Sequence, residues 1–178
     1  NHGTGVLMRY TLRLLTSQQF QRAAGLICAL EKIRVREKDE ANQHLLGERP
    51  FRIGIWVGGE TTPNTNEKSN EAFRETRNRG PQKYQHVMLR CPWCGSEIGP
   101  KKNRNGGTPR YYTHGLRSSG TGVNRRILLH CPDPDCEYNK KLPVEVVDEE
   151  IYKEPPSLII GTVDKFAMLA WKHEGRSI

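Results

Sequence analysis

The sequence predicts an α/β fold: a parallel sheet with helices, interrupted by a small inserted β subdomain that zinc holds together. Apolar strand-like runs alternate with helix-like runs at both ends of the chain, an order typical of parallel sheets. Two cysteine pairs stand between those ends. Only 35% of the 178 residues are hydrophobic, so the core is thin and a metal staple is expected.

Residues 1–79 are predicted to form the first part of the sheet. Residues 6–12 mix β-branched and aromatic side chains with partial alternation, which favours a strand. Thr16, followed three residues later by Gln19, has the form of a capping box, and apolar residues at helical spacing continue from Phe20 to Ile33. A second strand is predicted over 52–57, a polar loop over 61–70 and a short helix over 70–79.

Residues 80–141 are predicted to be the inserted zinc ribbon. Short strands at 87–90, 110–114 and 125–130 surround the cysteines, and Gly-rich polar stretches at 101–108 and 115–124 predict loops. Residues 142–178 return to the sheet. They carry strands at 142–147 and 157–160, and Gly161-Thr162 leads into a helix over 163–171.

The cysteine pairs have the spacing of zinc ligands. Cys91 and Cys94 are separated by two residues, and Cys131 and Cys136 by four. Two such turns supply the four thiolates of a tetrahedral zinc site. A disulfide framework and a redox Cys-x-x-Cys are the alternatives, but nothing indicates an oxidising compartment and a redox pair leaves two cysteines unexplained. Cys28 lies in an apolar helical pattern and is expected in the core.

Positive charge is concentrated around the cysteines. Residues 74–130 contain twelve Lys/Arg and two acidic residues, an excess of +10 in a chain whose net charge is +8. Interleaved tyrosines and a tryptophan add stacking surfaces, so this stretch predicts contact with nucleic acid, with Lys101, Lys102 and Arg104 as candidates. A solvated basic surface is the alternative interpretation.

Two segments each place a Thr at the start of a helix that follows a strand, Thr16 and Thr162. A helix N-terminus suits a phosphate, although spacing alone fits ordinary helix starts as well. Residues 7–20 resemble motif Ia of superfamily-two helicases, and residues 161–166 resemble their motif Ib. With the Cys-Pro-Trp-Cys turn, these segments are similar to the helicase-like subunit of DISARM-type phage-defence systems.

The resemblance implies part of a first RecA-like motor lobe that grips DNA, as a single strand or at a duplex junction. It implies backbone-phosphate contacts by Arg9, Thr11, Thr16 and Gln19 in the Ia-like segment. Thr162 and Lys165 take this role in the Ib-like segment. It also implies a partner subunit of the defence system and a cytoplasmic location.

The motor's ATP-handling motifs are missing from the sequence. No phosphate-binding loop of the form G-x-x-x-x-G-K-[ST] occurs, and the acidic triplet 148–150 precedes the Ib-like segment instead of following it. We therefore expect a fragment of an ATP-dependent helicase that does not hydrolyse ATP alone, with ATP and Mg²⁺ bound only in the longer parent.

Other classes of function remain open or are excluded. A stand-alone zinc-ribbon module that binds nucleic acid without motor activity is the main alternative, and a ribbon that docks a protein is a third. Asp133 and Asp135 are better explained as turn residues than as a nuclease site. No run approaches the ~20 apolar residues of a membrane span.

Overall fold

The computed structural model describes residues 3–11, 13–105, 107–171 and 173–178. In chain order the strands are β1 (Val6–Tyr10), β2 (Ile53–Trp56), β3 (Gly99–Lys102), β4 (Tyr111–His114), β5 (Leu116–Ser119), β6 (Arg126–Leu129), β7 (Val144–Glu145) and β8 (Leu158–Thr162). The α-helices are α1 (Arg13–Arg36), α2 (Asn66–Arg79), α3 (Asp148–Lys153) and α4 (Val163–Ala167).

The central sheet has four parallel strands in the order β1-β8-β2-β7. This confirms the predicted α/β class with a parallel sheet. Strand β2 is buried throughout, which agrees with its short continuous apolar run. Strand β1 lies at the edge, and its residues Val6, Leu7 and Met8 are exposed.

Helix α1 begins at Arg13, before the predicted cap. Thr16 therefore lies inside the helix and is fully buried, so the capping-box prediction at Thr16 and Gln19 was wrong. The hydroxyl and amide were correctly spaced for a cap, but the helix continues N-terminally through a run of sequence that carries no breaker.

Helix α2 begins at Asn66, four residues before the predicted start. Its cap is Thr65, whose hydroxyl accepts a hydrogen bond from the backbone N–H of Lys68 at 3.2 Å. The predicted polar loop over 61–70 is thus wrong in its second half, because a cap followed by polar helix formers resembles a loop in composition.

The insertion consists of two antiparallel pairs, β3–β4 and β5–β6. The strands predicted at 110–114 and 125–130 are confirmed. The strand at 87–90 was wrong, because only Arg90 makes a bridge, to Glu97. The two predicted loops were partly wrong: Lys101 and Lys102 lie in β3, and the Gly/Ser-rich stretch contains β5.

The last part of the chain returns to the sheet through β7 and β8, as predicted. Helix α3 was not predicted; it starts at the acidic triplet. The predicted helix over 163–171 is shorter, since α4 ends at Ala167 and a 3-10 turn follows over Met168–Ala170.

One hydrophobic core joins the sheet to the insertion. It contains Ile55 from β2, Leu116 from β5 and Ile127 from β6 in a single cluster. This cluster extends across the boundaries predicted at residues 80 and 141, and the division of the chain at those boundaries stays a prediction. Among the described helices, none combines the length and apolar character that crossing a bilayer requires.

The cysteine-bearing turns rest on α1. The Tyr138 hydroxyl, two residues after Cys136, donates a buried hydrogen bond of 2.6 Å to the carbonyl of Cys28. A Cβ on Gly25 would lie 3.2 Å from the carbonyl oxygen of Pro92, so the first turn approaches the helix backbone closely. Cys28 is fully buried beneath these contacts, which confirms its predicted place in the core.

Candidate metal centre and basic surface

Four cysteine sulfurs meet in one cluster. Cys91, Cys94, Cys131 and Cys136 place their Sγ atoms within 4.8 Å of one another. The Cys91–Cys136 sulfurs are 3.9 Å apart and the Cys94–Cys131 sulfurs 3.4 Å apart. All four cysteines are free thiols, so the disulfide framework is not what the structure contains.

Two tight turns position the sulfurs. In the first, the Gly95 N–H donates to the Cys91 carbonyl at 2.9 Å, and Gly95 has a φ of 82°, the left-handed region that glycine tolerates. In the second, the Asp133 carboxylate accepts from the Asp135 N–H at 3.0 Å, and the Asp133 carbonyl accepts from the Cys136 N–H at 3.2 Å. Asp133 and Asp135 are thus turn residues, as predicted.

The cluster fits a tetrahedral metal ion. Zinc–thiolate bonds of about 2.3 Å imply sulfurs about 3.8 Å apart at the corners of a tetrahedron, close to the separations observed. The donor set is sulfur alone, which suits a soft or borderline cation such as zinc. Four protein ligands fill every coordination position of a tetrahedral ion, so none is left for a substrate or water. The site is therefore suited to stabilising the fold and not to catalysis.

Electrostatics at the cluster favour a cation. Burial raises the pKa of the Cys131 and Cys136 thiols, so both sulfurs are costly to ionise without a positive partner. At Cys94, burial also acts to raise the pKa, but hydrogen bonds between the Cys94 sulfur and the side chain and backbone of Ser96 lower it to about 7. A divalent ion between the four sulfurs offsets the cost of ionising all of them.

The predicted basic residues of the insertion lie together. Lys101, Lys102 and Arg104 line an open concavity of about 750 Å³ with Tyr112 and His114. All three cations are exposed. Lys101 forms an ion pair of 2.9 Å with Glu97, whereas no ion pair of Lys102 or Arg104 occurs among the described residues.

The predicted helicase-like contacts are more scattered. Strands β1 and β8 are parallel neighbours, and Tyr10 lies opposite Thr162. The segments that follow the two strands therefore both start at the carboxyl ends of the strands, on the same side of the sheet. Arg9 and Thr11 are exposed there and Gln19 is half-buried. Thr16 and Thr162 are buried, at 0% and 5% exposure, and the predicted phosphate contacts by their backbone N–H groups stay a prediction.

Lys165 holds the fold together instead of facing solvent. The residue is 5% exposed, and its ammonium pairs with the buried Asp148 and donates to the side-chain oxygen of Asn64 at 3.2 Å. The predicted contact of Lys165 with a phosphate needs a free ammonium, which this arrangement does not provide.

The acidic triplet has a structural role. Glu149 accepts from the backbone N–H of Asn66 at 2.8 Å, at the start of α2. Glu150 accepts from the Asn66 side chain at 2.7 Å and from Arg126 of β6 at 3.1 Å. These bonds tie α3 to α2 and to the insertion.

Sequence reasoning counted Tyr112 among the interleaved aromatic residues, but it placed neither Tyr112 nor His114 beside the basic side chains of one concavity. Their alternation along β4 was the available signal, because residues two apart share one face of a strand. The burial pattern of β4 alternates accordingly, with Tyr112 and His114 exposed. Burial is the main cause of a lowered His114 pKa, and the nearby Lys101 adds to it.

Comparison with known proteins gives one relative. The chain is 34% identical over 175 residues to the DISARM protein DrmA of Bacillus paralicheniformis. The chain is similar to a segment of a DISARM protein. The match covers 95% of this chain and 14% of the DISARM relative, so the chain spans about a seventh of that protein's length. No family model matches the chain.

The relative agrees with the narrower of the two resemblances. It supports the similarity to DISARM-type defence proteins that the motif order indicated, over the segment that the match covers. The wider assignment to superfamily-two helicases, with its ATP-driven motor, stays a prediction.

Proposed function

We propose that this chain provides a sequence-independent grip on nucleic acid within a DISARM-type anti-phage protein. The supporting observation is the concavity in which Lys101, Lys102 and Arg104 meet. Lys102 and Arg104 have no acidic partner among the described residues, so their charge is available to phosphates. The four-cysteine centre gives this surface a fixed shape that a thin core alone does not provide.

The proposal includes a motor in the longer protein. The Ia-like and Ib-like segments leave one edge of the parallel sheet, and the exposed Arg9 and Thr11 offer further backbone contacts there. ATP and Mg²⁺ bind residues outside this chain and drive translocation along DNA, and a partner subunit of the defence system acts with it. The zinc-ribbon module without motor activity predicts instead that ATP leaves DNA binding by the full-length protein unchanged.

Charge reversal tests the grip. The variant with Lys101, Lys102 and Arg104 changed to Glu should bind a labelled thymidine homopolymer at least tenfold more weakly by fluorescence anisotropy. The matched control changes three exposed cations outside the insertion to Glu: Arg22 and Arg36 of α1, and Lys38, which follows that helix. The control therefore changes the net charge by the same amount. Equal losses in both variants contradict a local grip.

Salt dependence gives a second measure of the same contacts. Three contacts with a single strand release about 0.7 counterions each, so log affinity should fall against log salt with a slope of about −2. The charge-reversed variant should lose most of this slope. An affinity that is independent of salt in the unmodified protein refutes the proposal.

A further inference from the structure

We infer that Tyr112 is a stacking platform for a base, so the basic surface takes unpaired strands in preference to duplex. The inference rests on the proposed function and names its substrate more closely. It depends on which aromatic side chains of the basic stretch are free to stack.

Three of the four aromatic residues in that stretch have structural contacts. The Tyr84 hydroxyl donates to the Met88 carbonyl at 2.6 Å, and burial raises its pKa. The Tyr111 ring packs on Gly80, where a Cβ would lie 2.6 Å from its Cζ atom. Trp93 packs edge-on against Tyr138 with ring centroids 5.8 Å apart.

Tyr112 is the exception. Its side chain is 47% exposed, and it makes no ring contact or hydrogen bond with the rest of the described chain. Exposed tyrosines are common on protein surfaces, so the residues around Tyr112 determine whether its ring is part of a binding site.

The neighbours of Tyr112 are phosphate-binding groups. In the β3–β4 register Lys101 stands directly opposite Tyr112, so both side chains lie on the same face of the hairpin. Lys102 and Arg104 line the same concavity. A base on the ring therefore brings its own phosphates within reach of several cations, the arrangement by which proteins hold single strands.

The backbone that carries Tyr112 is held by hydrogen bonds before any strand binds. The ladder of β3 and β4 continues through the Asn103 N–H, which donates to the Arg110 carbonyl at 2.8 Å. The Asn103 side chain then holds the connecting loop, donating to the Pro109 carbonyl at 3.2 Å and accepting from the Asn105 N–H at 3.1 Å. Since the backbone that carries Tyr112 is held in this way, only the torsions of its side chain lose freedom when a base stacks on the ring.

Base pairing decides which nucleic acid can use the ring. In a duplex the base faces are covered by their neighbours, and exposing one costs unstacking and unpairing. An unpaired strand presents its base faces at no such cost. The ring therefore adds affinity for single strands while the surrounding cations attract both forms.

Substitution of Tyr112 tests the inference. Tyr112→Ala should weaken binding to a thymidine homopolymer about tenfold and leave binding to a duplex of equal length within twofold. Tyr112→Phe keeps the ring and should bind the single strand as the unmodified protein does. Trp171→Ala removes another exposed aromatic ring, 88% exposed and outside the insertion, and should change neither affinity. Zinc content and the melting temperature of each variant show whether it is folded.

The outcomes separate this inference from the proposed function. Single-strand binding that responds to charge reversal but not to Tyr112→Ala overturns the stacking platform and leaves the grip intact. No response to either change overturns both. Photocrosslinking to a homopolymer carrying 5-iododeoxyuridine gives an independent readout, because a stacked ring should crosslink. A crosslinked peptide without Tyr112 contradicts the inference.

Discussion

Replacing Lys165 by Met should destabilise the protein more than the same replacement of an exposed lysine does. The side chains of Lys165 and Asp148 are 6% and 1% exposed, so the substitution leaves a carboxylate buried without its cation. Breaking a buried pair in this way costs about 3–5 kcal/mol, a large part of the about 5–15 kcal/mol that stabilises a typical domain. The loss should appear as a lower midpoint in urea denaturation, followed by the fluorescence of the buried Trp56.

Two comparisons make the measurement specific. Lys153 forms an exposed pair with Glu149, so Lys153→Met should cost less than about 1 kcal/mol. Adding Asp148→Leu to Lys165→Met removes the stranded carboxylate and should restore at least half of the lost stability. The prediction is refuted if Lys165→Met lowers the free energy of unfolding no more than Lys153→Met does. It is also refuted if adding Asp148→Leu lowers the stability further by as much as Asp148→Leu does alone, because the buried pair is then not what holds α3 to α4.

Three further predictions concern the metal centre, a buried histidine and a glycine. Purified protein should carry about one zinc per chain by metal analysis, and Cys136→Ser should abolish it and lower the melting temperature by about 10 °C or more; full thermal stability after chelation contradicts the staple. Burial lowers the pKa of His86 from 6.5 to about 4, so its stability contribution is present above pH 6.5 and is lost as the pH falls toward 4; about 3 kcal/mol of unfolding free energy should disappear over that range, and His86→Gln should remove this part of the pH dependence. Gly80 has a φ of 92° and its Cβ position is occupied by Tyr111, so Gly80→Ala should cost about 1–3 kcal/mol in urea denaturation, whereas Gly47→Ala, with φ 85° and open space, should cost less.

The metal centre could be predicted from the sequence because its signal is local. Cys91 and Cys94 carry their ligand atoms into one turn by spacing alone, and Cys131 and Cys136 do the same in a second, longer turn. The parallel sheet was similarly accessible, since β2 and β8 are short apolar runs that only a buried strand explains. Both features depend on neighbours a few residues apart.

The features that sequence reasoning missed depend on distant partners. Lys165 reads as a surface cation until Asp148, seventeen residues earlier, is brought against it. The start of α2 at Thr65 is hidden by polar composition, and its stabilising partner Glu149 lies 83 residues from Asn66. Thr16 shows the opposite case. Its local sequence has the form of a cap, but the helix begins three residues earlier, so the residue lies inside the helix.

The seating of the cysteine turns on α1 has a mechanical consequence. Tyr138 and Pro92 touch the middle of a 24-residue helix whose first turn follows the edge strand of the sheet. Force applied to the two cysteine turns would therefore be transmitted along α1 toward β1. If a nucleic acid strand bound to the basic surface pulled on the insertion, α1 would tilt relative to β1.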